Sequence, residues 1–220
     1  MKFLVLGATG PSGVLLVREL LAVYPESPVV IYVRSPEKLP GDIPAHPNVT
    51  LLKGTLEDEK ALGEALEGVE IVLSALGPRQ FDHPSGTPLA HAYEGLIKLM
   101  KQRGVNRLLA LGTISMEDKA DHFNAVFYGM VTTVSISMRN AYKDIRAIAD
   151  VIRSSSLEHY TVFRVPILGN KESREVIAGY IGDGKTNNHV TLHRAGFAAF
   201  VVAEIANKQW DLEFPVIVSK

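Results

Sequence analysis

Phe3-Leu4-Val5-Leu6-Gly7-Ala8-Thr9-Gly10-Pro11-Ser12-Gly13 is the stretch from which the rest of the chain is read. The four apolar residues predict a buried strand. Val14 to Leu21, with Arg18 and Glu19 on its other side, predicts an amphipathic helix. A strand, a glycine turn and a helix in that order make a phosphate site. Gly7 permits the tight turn, Gly10 lets the backbone approach a pyrophosphate, and Gly13 lets the helix lie close on the strand. The free N–H groups of the first helical turn then face the anion, and the helix dipole adds to the attraction. Pro11 suits that turn, because its missing N–H is not needed there. The spacing G-x-x-G-x-x-G is one residue wider than the standard fingerprint. A strand-to-helix turn without a ligand is the alternative; the apolar strand before and the helix after favour a dinucleotide, cradled by residues 7 and 9–13.

Length and composition narrow the function classes. A chain of 220 residues suits one α/β domain, so residues 1–220 are expected to share a core. A net charge of −1 argues against a nucleic-acid partner. The sequence has no cysteine, which excludes disulfides and thiolate chemistry. No secretory signal is evident at the N-terminus, and the longest weakly charged stretch, Phe123 to Met138, is short of a membrane span. The expectation is a soluble, cytoplasmic protein without a membrane or metal, its state as monomer or homodimer left open.

Further strands are expected at Val29–Val33, Val49–Lys53, Glu70–Gly77, Arg107–Ser115, Tyr160–Arg164, His189–Leu192 and Pro215–Val218. Helices are expected after Glu57-Asp58-Glu59, whose charges suit a helix start, and over Leu89–Gln102, Tyr142–Ser154 and His193–Ala206, with another segment beginning near Met116. The alternation predicts one parallel, doubly wound α/β sheet of the Rossmann kind. Arg34 stands about 20 positions past the glycines, with Ser35 beside it and Lys38 one short turn on. An acidic residue there accepts from the ribose 2′-hydroxyl of NAD, whereas Arg suits a 2′-phosphate, so NADPH is the expected cofactor. Ala75, Leu76 and Gly77 end the fourth strand with small or apolar groups, leaving room for a ribose and nicotinamide. Residues 78–88 form a polar loop with Arg79, Asp82 and His83. Thr113 and Ser115 end the fifth strand and either bond a nicotinamide, ribose or substrate carbonyl, or cap the next helix. From Asp121 to Asn140 the chain is rich in aromatics and Met, including Phe123 and Phe127; this is either the wall over a flat substrate, a buried helix or a subunit contact. Residues 170–188 are polar and Gly-rich. His189 and His193 straddle a strand-helix junction, so a metal pair is not expected.

Together these motifs resemble an atypical short-chain dehydrogenase/reductase of the NAD(P)H-binding, NmrA-like kind. The similarity is carried by residues 7–13, Val33-Arg34-Ser35-Pro36-Glu37-Lys38-Leu39, Leu73-Ser74-Ala75-Leu76-Gly77, Gly104-Val105-Asn106-Arg107 and Tyr160-Thr161-Val162-Phe163-Arg164. Within that group the chain is similar to the flavin/biliverdin reductases, notably in Gly77-Pro78-Arg79 and Asp144-Ile145-Arg146. The resemblance implies a Rossmann domain binding NADPH, with a small C-terminal part closing over a planar substrate. It places Thr55, Leu56, Gly112, Val165 and Pro166 beside the cofactor as well, Leu56 through backbone contacts alone.

Two departures bear on chemistry. The main short-chain family uses Tyr-x-x-x-Lys, whose lysine lowers the phenol pKa. Here the candidates are Tyr128-x-x-x-Thr132 and Tyr142-x-x-x-Arg146, and an arginine does not shuttle protons. Thr113 stands where the flavin/biliverdin reductases carry a serine, and their histidine after the sixth strand falls on Ile167. The expected activity is therefore hydride transfer from NADPH to a flat conjugated acceptor such as a flavin, quinone or tetrapyrrole, which delocalises the added charge and takes its last proton from water. Thr113 would anchor substrate or nicotinamide, Arg79 and Arg146 would attract an acidic substrate group, and Tyr142 is an outlying proton donor. Ser115, Phe123, Phe127 and Ile167 complete the expected substrate side. A non-catalytic NADP(H) sensor and a redox-neutral isomerase are the alternatives.

Overall fold

All four residues of strand β1 (Phe3–Leu6) are buried, as a strand covered on both faces must be. Leu4 and Leu6 point into one apolar layer and Phe3 and Val5 into the other. The computed structural model of the chain describes residues 1–79, 82–186 and 189–220. Helix α1 (Pro11–Val23) follows β1, then β2 (Val29–Val33), a 3₁₀ turn over Pro36–Lys38, β3 (Val49–Lys53) and α2 (Glu59–Ala65). Asp58 caps α2 by accepting from the Ala61 N–H at 3.0 Å, so one carboxylate of that acidic run does serve the helix start. The chain continues through β4 (Ile71–Ser74), α3 (Pro88–Gln102), β5 (Arg107–Thr113), α4 (Ala125–Ser137), α5 (Arg139–Ser154), β6 (His159–Val165), β7 (Ile167–Gly169), β8 (Val176–Gly179), β9 (Thr191–His193), α6 (Arg194–Asn207) and β10 (Val216–Ser219).

Eight strands form one sheet in the order β3-β2-β1-β4-β5-β6-β10-β8. Helices α2, α3 and α5 supply the apolar layer on one face, and α1 and α6 supply the layer on the other. The strand order reverses between β2-β1 and β1-β4, which opens a crevice above the carboxyl ends of β1 and β4.

The parallel sheet has an exception. β8 lies in the polar stretch 170–188, of which residues 187–188 are outside the described set, and it pairs antiparallel with β10. Its four residues are too few to stand out from polar neighbours, and pairing with β10 fixes them. A separate parallel pair, β7 with β9, sits beside it. No helix starts near Met116; the chain turns there, with Met116 N–H donating to Thr113 O, and the next helix waits until Ala125. Thr113 Oγ1 instead accepts from the Ser115 N–H at 3.2 Å, closing a tight turn.

That irregular stretch is anchored from below by Arg164. Its side chain is fully buried, and its guanidinium grips Asp121 through both ends, at 2.5 and 2.8 Å, while donating to Met116 O at 2.8 Å. Asp121 also accepts from the N–H groups of Asp118 and Ile181, which ties the segments after β5 and β8 to one charge pair. Removing one partner of such a pair leaves an uncompensated buried charge. Asp121→Ala is expected to cost about 3–5 kcal/mol, read as a lower urea midpoint at unchanged slope. A loss below about 1 kcal/mol, the scale of a surface pair, would contradict this role.

Candidate functional site

The turn after β1 is built by contact at two glycines. Gly7 has φ +75°, and a side chain there would strike the backbone of Ala75, 2.7 Å away. A Cβ on Gly13 would fall 2.1 Å from the Gly7 carbonyl oxygen, so α1 reaches the turn only because residue 13 has no side chain. Gly10 differs. Its φ is −78°, and the nearest atom to a Cβ is Gly7 O at 3.5 Å, an ordinary contact. Nothing inside the protein demands glycine at position 10. The space it leaves faces out of the turn, where a ligand backbone or phosphate would approach. No side chain caps α1, so the N–H groups of its first turn remain to serve an anion. These residues fit a pyrophosphate.

Next to this turn lies a cleft of about 350 Å³. Gly7, Thr9, Arg34, Thr55, Leu56, Leu76 and Gly77, all named from the sequence as cofactor residues, lie on its lining. Arg34 follows β2 and is exposed, and neither it nor Lys38 has an ion-pair partner among the described residues. Glu57 is the single carboxylate on the lining, against Arg34 and Arg79. Tyr32 lines it too, and its phenol donates to Thr55 O at 2.8 Å. A Cβ on Gly54 would meet that ring, which explains the glycine. Burial, aided by Asp58 and Glu57, pushes the Tyr32 phenol up to about 12, so it remains a hydrogen-bond donor at neutral pH. Arg79, expected on the substrate side, lines this same cleft instead.

Other named residues do not meet at the cleft. Pro11 is exposed at the start of α1, Ser12 is buried beneath it, and Ser35 and Ala75 are half-buried at the ends of β2 and β4. The side-chain position of Gly112 is filled by Met116 and Val162, so packing alone requires that glycine. Val165 points into the layer beneath α1 and α6, and Pro166 is half-buried between β6 and β7. Thr113 is half-buried at the end of β5 and Ser115 buried behind it. Phe127, expected to wall the substrate, is core: it packs with Ile114, Ile181, Val216 and Val218. The rest of α4 is largely open to solvent, and Phe123, just before it, is 81% exposed, so the buried-helix reading of residues 121–140 does not hold. Ile167 is exposed at the start of β7. Tyr142 and Arg146 lie one turn apart on α5, yet the Arg146 guanidinium is paired with Glu117 and donates to the Tyr142 oxygen at 2.9 Å. The guanidinium expected to attract an acidic substrate group is thus already in an exposed ion pair, and the phenol oxygen is an acceptor in this arrangement.

The sequence reading missed a buried pair behind the cleft. Asp144, fully buried on α5, accepts from the Leu89 and Ala90 N–H groups and from His83 Nε2 at 2.9, 2.8 and 2.7 Å. It thereby caps α3, whose own N-cap residue, Thr87, has φ +53° and makes no side-chain cap. Thr87 before Pro88 reads in the sequence as an ordinary cap, so nothing there signals that Asp144 takes its place. His83 was expected on a polar loop; it is buried, and its Nδ1 accepts from the Arg79 N–H at 3.2 Å. Residues 80–81 of that loop lie outside the described set. Among the described residues no cluster of His, Asp or Glu could hold a metal ion, and no helix is long and apolar enough to cross a membrane.

A glycine-cradled helix start beside a crevice at the sheet's switch point defines a Rossmann nucleotide-binding protein. Residues 7–208 match the model of the NAD(P)H-binding family, and the chain belongs to that family. It is 26% identical over 171 residues to the oxidoreductase aflX of Aspergillus parasiticus, a match covering 75% of this chain and 64% of that protein's length. Its fold is similar to a short-chain dehydrogenase/reductase from Veillonella parvula in complex with NADP, at 16% identity and a TM-score of 0.79, covering 99% of this chain and 94% of the other. It is also similar to ChuY, an anaerobillin reductase from Escherichia coli O157:H7, at 16% identity and a TM-score of 0.77, covering 100% and 97%.

Gly13→Ala tests the cradle. The added methyl must push α1 off the turn, so the expected result is destabilisation of about 1–3 kcal/mol together with lost protection of the fold by NADPH in thermal unfolding. Unchanged protection would mean that the turn is not the phosphate site.

Proposed function

We propose that the protein is an NADPH-dependent oxidoreductase that reduces a flat conjugated acceptor of the flavin, quinone or tetrapyrrole class. The observation that carries the cofactor choice is Arg34, exposed on the cleft at the end of β2 without a carboxylate partner among the described residues. A guanidinium there matches a 2′-phosphate and would gain nothing from a bare ribose. Arg34, with Ser35 and Lys38 behind it, would hold that phosphate; the turn of residues 7–13 would hold the pyrophosphate. Leu56 and Leu76 give the adenine apolar walls, and Arg79 is reassigned from substrate to nucleotide.

When bound, NADPH supplies a hydride. The chain's own part is to orient the acceptor and leave its final proton to water, because Arg146 is tied to Glu117 and donates to the Tyr142 oxygen rather than standing as a proton-shuttling lysine beside a phenol. A delocalised acceptor needs positioning more than a side-chain acid, which is why that class is favoured over simple carbonyls. Thr113 is the hydroxyl proposed to anchor acceptor or nicotinamide. The anaerobillin reductase among the similar folds supports a tetrapyrrole-like acceptor. The same missing acid favours a second reading, a nucleotide sensor without turnover.

Incubation with NADPH and FMN, following the absorbance of the reduced nucleotide, is expected to show protein-dependent oxidation. A rate equal to the protein-free control, with NADPH and NADP⁺ binding equally, would favour the sensor. Arg34→Ala is expected to weaken NADPH about 10- to 100-fold, the loss of a charged hydrogen bond, and to leave NADH affinity within about twofold. Equal loss for both nucleotides would refute the phosphate assignment.

A further inference from the structure

We propose that His83 is a positioning residue for nucleotide binding, holding Arg79 at the cleft through the Arg79 backbone while anchored itself on Asp144. The proposal rests on the nucleotide reading of the cleft. Arg79 and His83 both line that cleft. The two His83 ring nitrogens have different partners. Since Nδ1 accepts from the Arg79 N–H, it carries no proton, and the ring proton sits on Nε2, directed at the Asp144 carboxylate. This leaves His83 neither a free acid nor a free base, so proton transfer to a substrate is not its use. Its geometry instead forms a strut from α5 to Arg79 in the chain that follows β4. The Asp144 side chain is 0% exposed and that of His83 5%, so the strut is braced by packing as well as by hydrogen bonds. Asn140 adds a further tie by donating from Nδ2 to the His83 carbonyl at 3.1 Å.

The strut matters because of what Arg79 does with its side chain. Its guanidinium pairs with Asp82 at 3.0 Å, yet both groups are largely exposed, so this pair does little to fix the arginine. The backbone contact to His83 is the better shielded restraint, since the ring that accepts it is buried. A cation held by its main chain, its side chain in only an exposed pair, can meet an anionic ligand without first losing the entropy of fixing that backbone. The α3 cap alone would not require a histidine, since the Leu89 and Ala90 N–H groups already satisfy Asp144.

Two substitutions separate the halves of the ring. His83→Gln keeps a donor toward Asp144 and loses the acceptor for Arg79; His83→Asn keeps the acceptor and loses the donor. Titration with NADPH is expected to show His83→Gln binding about fivefold or more weakly with a near-wild-type melting temperature, and His83→Asn binding more tightly than His83→Gln. Adding His83→Gln to Arg79→Ala should weaken binding no further than Arg79→Ala alone, because His83 acts on the nucleotide only by placing the Arg79 side chain, which alanine lacks. Additive losses, or wild-type affinity in His83→Gln, would overturn the proposal. Should His83→Gln fail to fold, amide exchange in the wild-type protein decides: the Arg79 N–H is expected to be protected before NADPH is added, and exchange at the free-peptide rate would overturn the strut. Failure of the wild-type protein itself to bind NADPH would instead strike the nucleotide reading on which the strut depends.

Discussion

The distance between α1 and the turn after β1 governs everything above the sheet. With residue 13 lacking a side chain, the helix start sits against the Gly7 carbonyl, and the turn in turn sits against the backbone of Ala75 at the end of β4. Three backbones thus meet where the strand order reverses. The result is a helix N-terminus pressed into the crevice rather than displayed beside it, which lets its dipole and free N–H groups act on whatever lies there. Gly10 shows the difference between folding and function at one motif. Gly7 and Gly13 are required by the protein's own packing, whereas Gly10 keeps clear a space that belongs to no protein atom.

Above this point the sheet ends in irregular chain, and irregular chain leaves polar backbone groups in need of partners. Two carboxylates, Asp144 fully buried and Asp121 half-buried, supply them. Asp121 gathers two N–H groups and the Arg164 guanidinium; Asp144 gathers two N–H groups and a histidine. Both work by fixing one segment against another far away in sequence, and each sits under a loop that overlies the sheet. Arg107 solves the opposite end in a similar way, donating to the Glu204 and Ile205 carbonyls at the close of α6. Apolar layers set where the helices lie, while these charges set where the loops go.

Much of this was legible in the sequence because it is local. β2 and β3 were read with their observed bounds, since runs of four or five apolar or β-branched residues between turn signals have one reading. The glycine turn and Arg34 were legible for the same reason, their meaning lying in spacing along the chain. What was not legible is what depends on contacts across it. β8 is strand only because β10 passes beside it. Phe127 seemed a substrate wall because aromatic content does not say which way a helix faces, and Met116 seemed a helix start because a Thr or Ser before it equally closes a tight turn. Asp144 and His83, 61 positions apart, had no pattern to announce them.

The pairing of Arg146 with Glu117 bears on how such a site can do redox chemistry at all. A lysine beside a tyrosine lowers the phenol pKa because its charge is unshared; an arginine already gripped by a carboxylate presents a nearly neutral pair. The Tyr142 oxygen accepts from that already paired guanidinium, so the pair is not the phenol and proton-shuttling lysine that a substrate forming a localised alkoxide on reduction would call for. An extended conjugated acceptor avoids that need, since its added charge spreads over many atoms before any proton arrives. On the proposed function, the engagement of Arg146 is then a constraint on the substrate: it favours acceptors that tolerate a charge until solvent neutralises it.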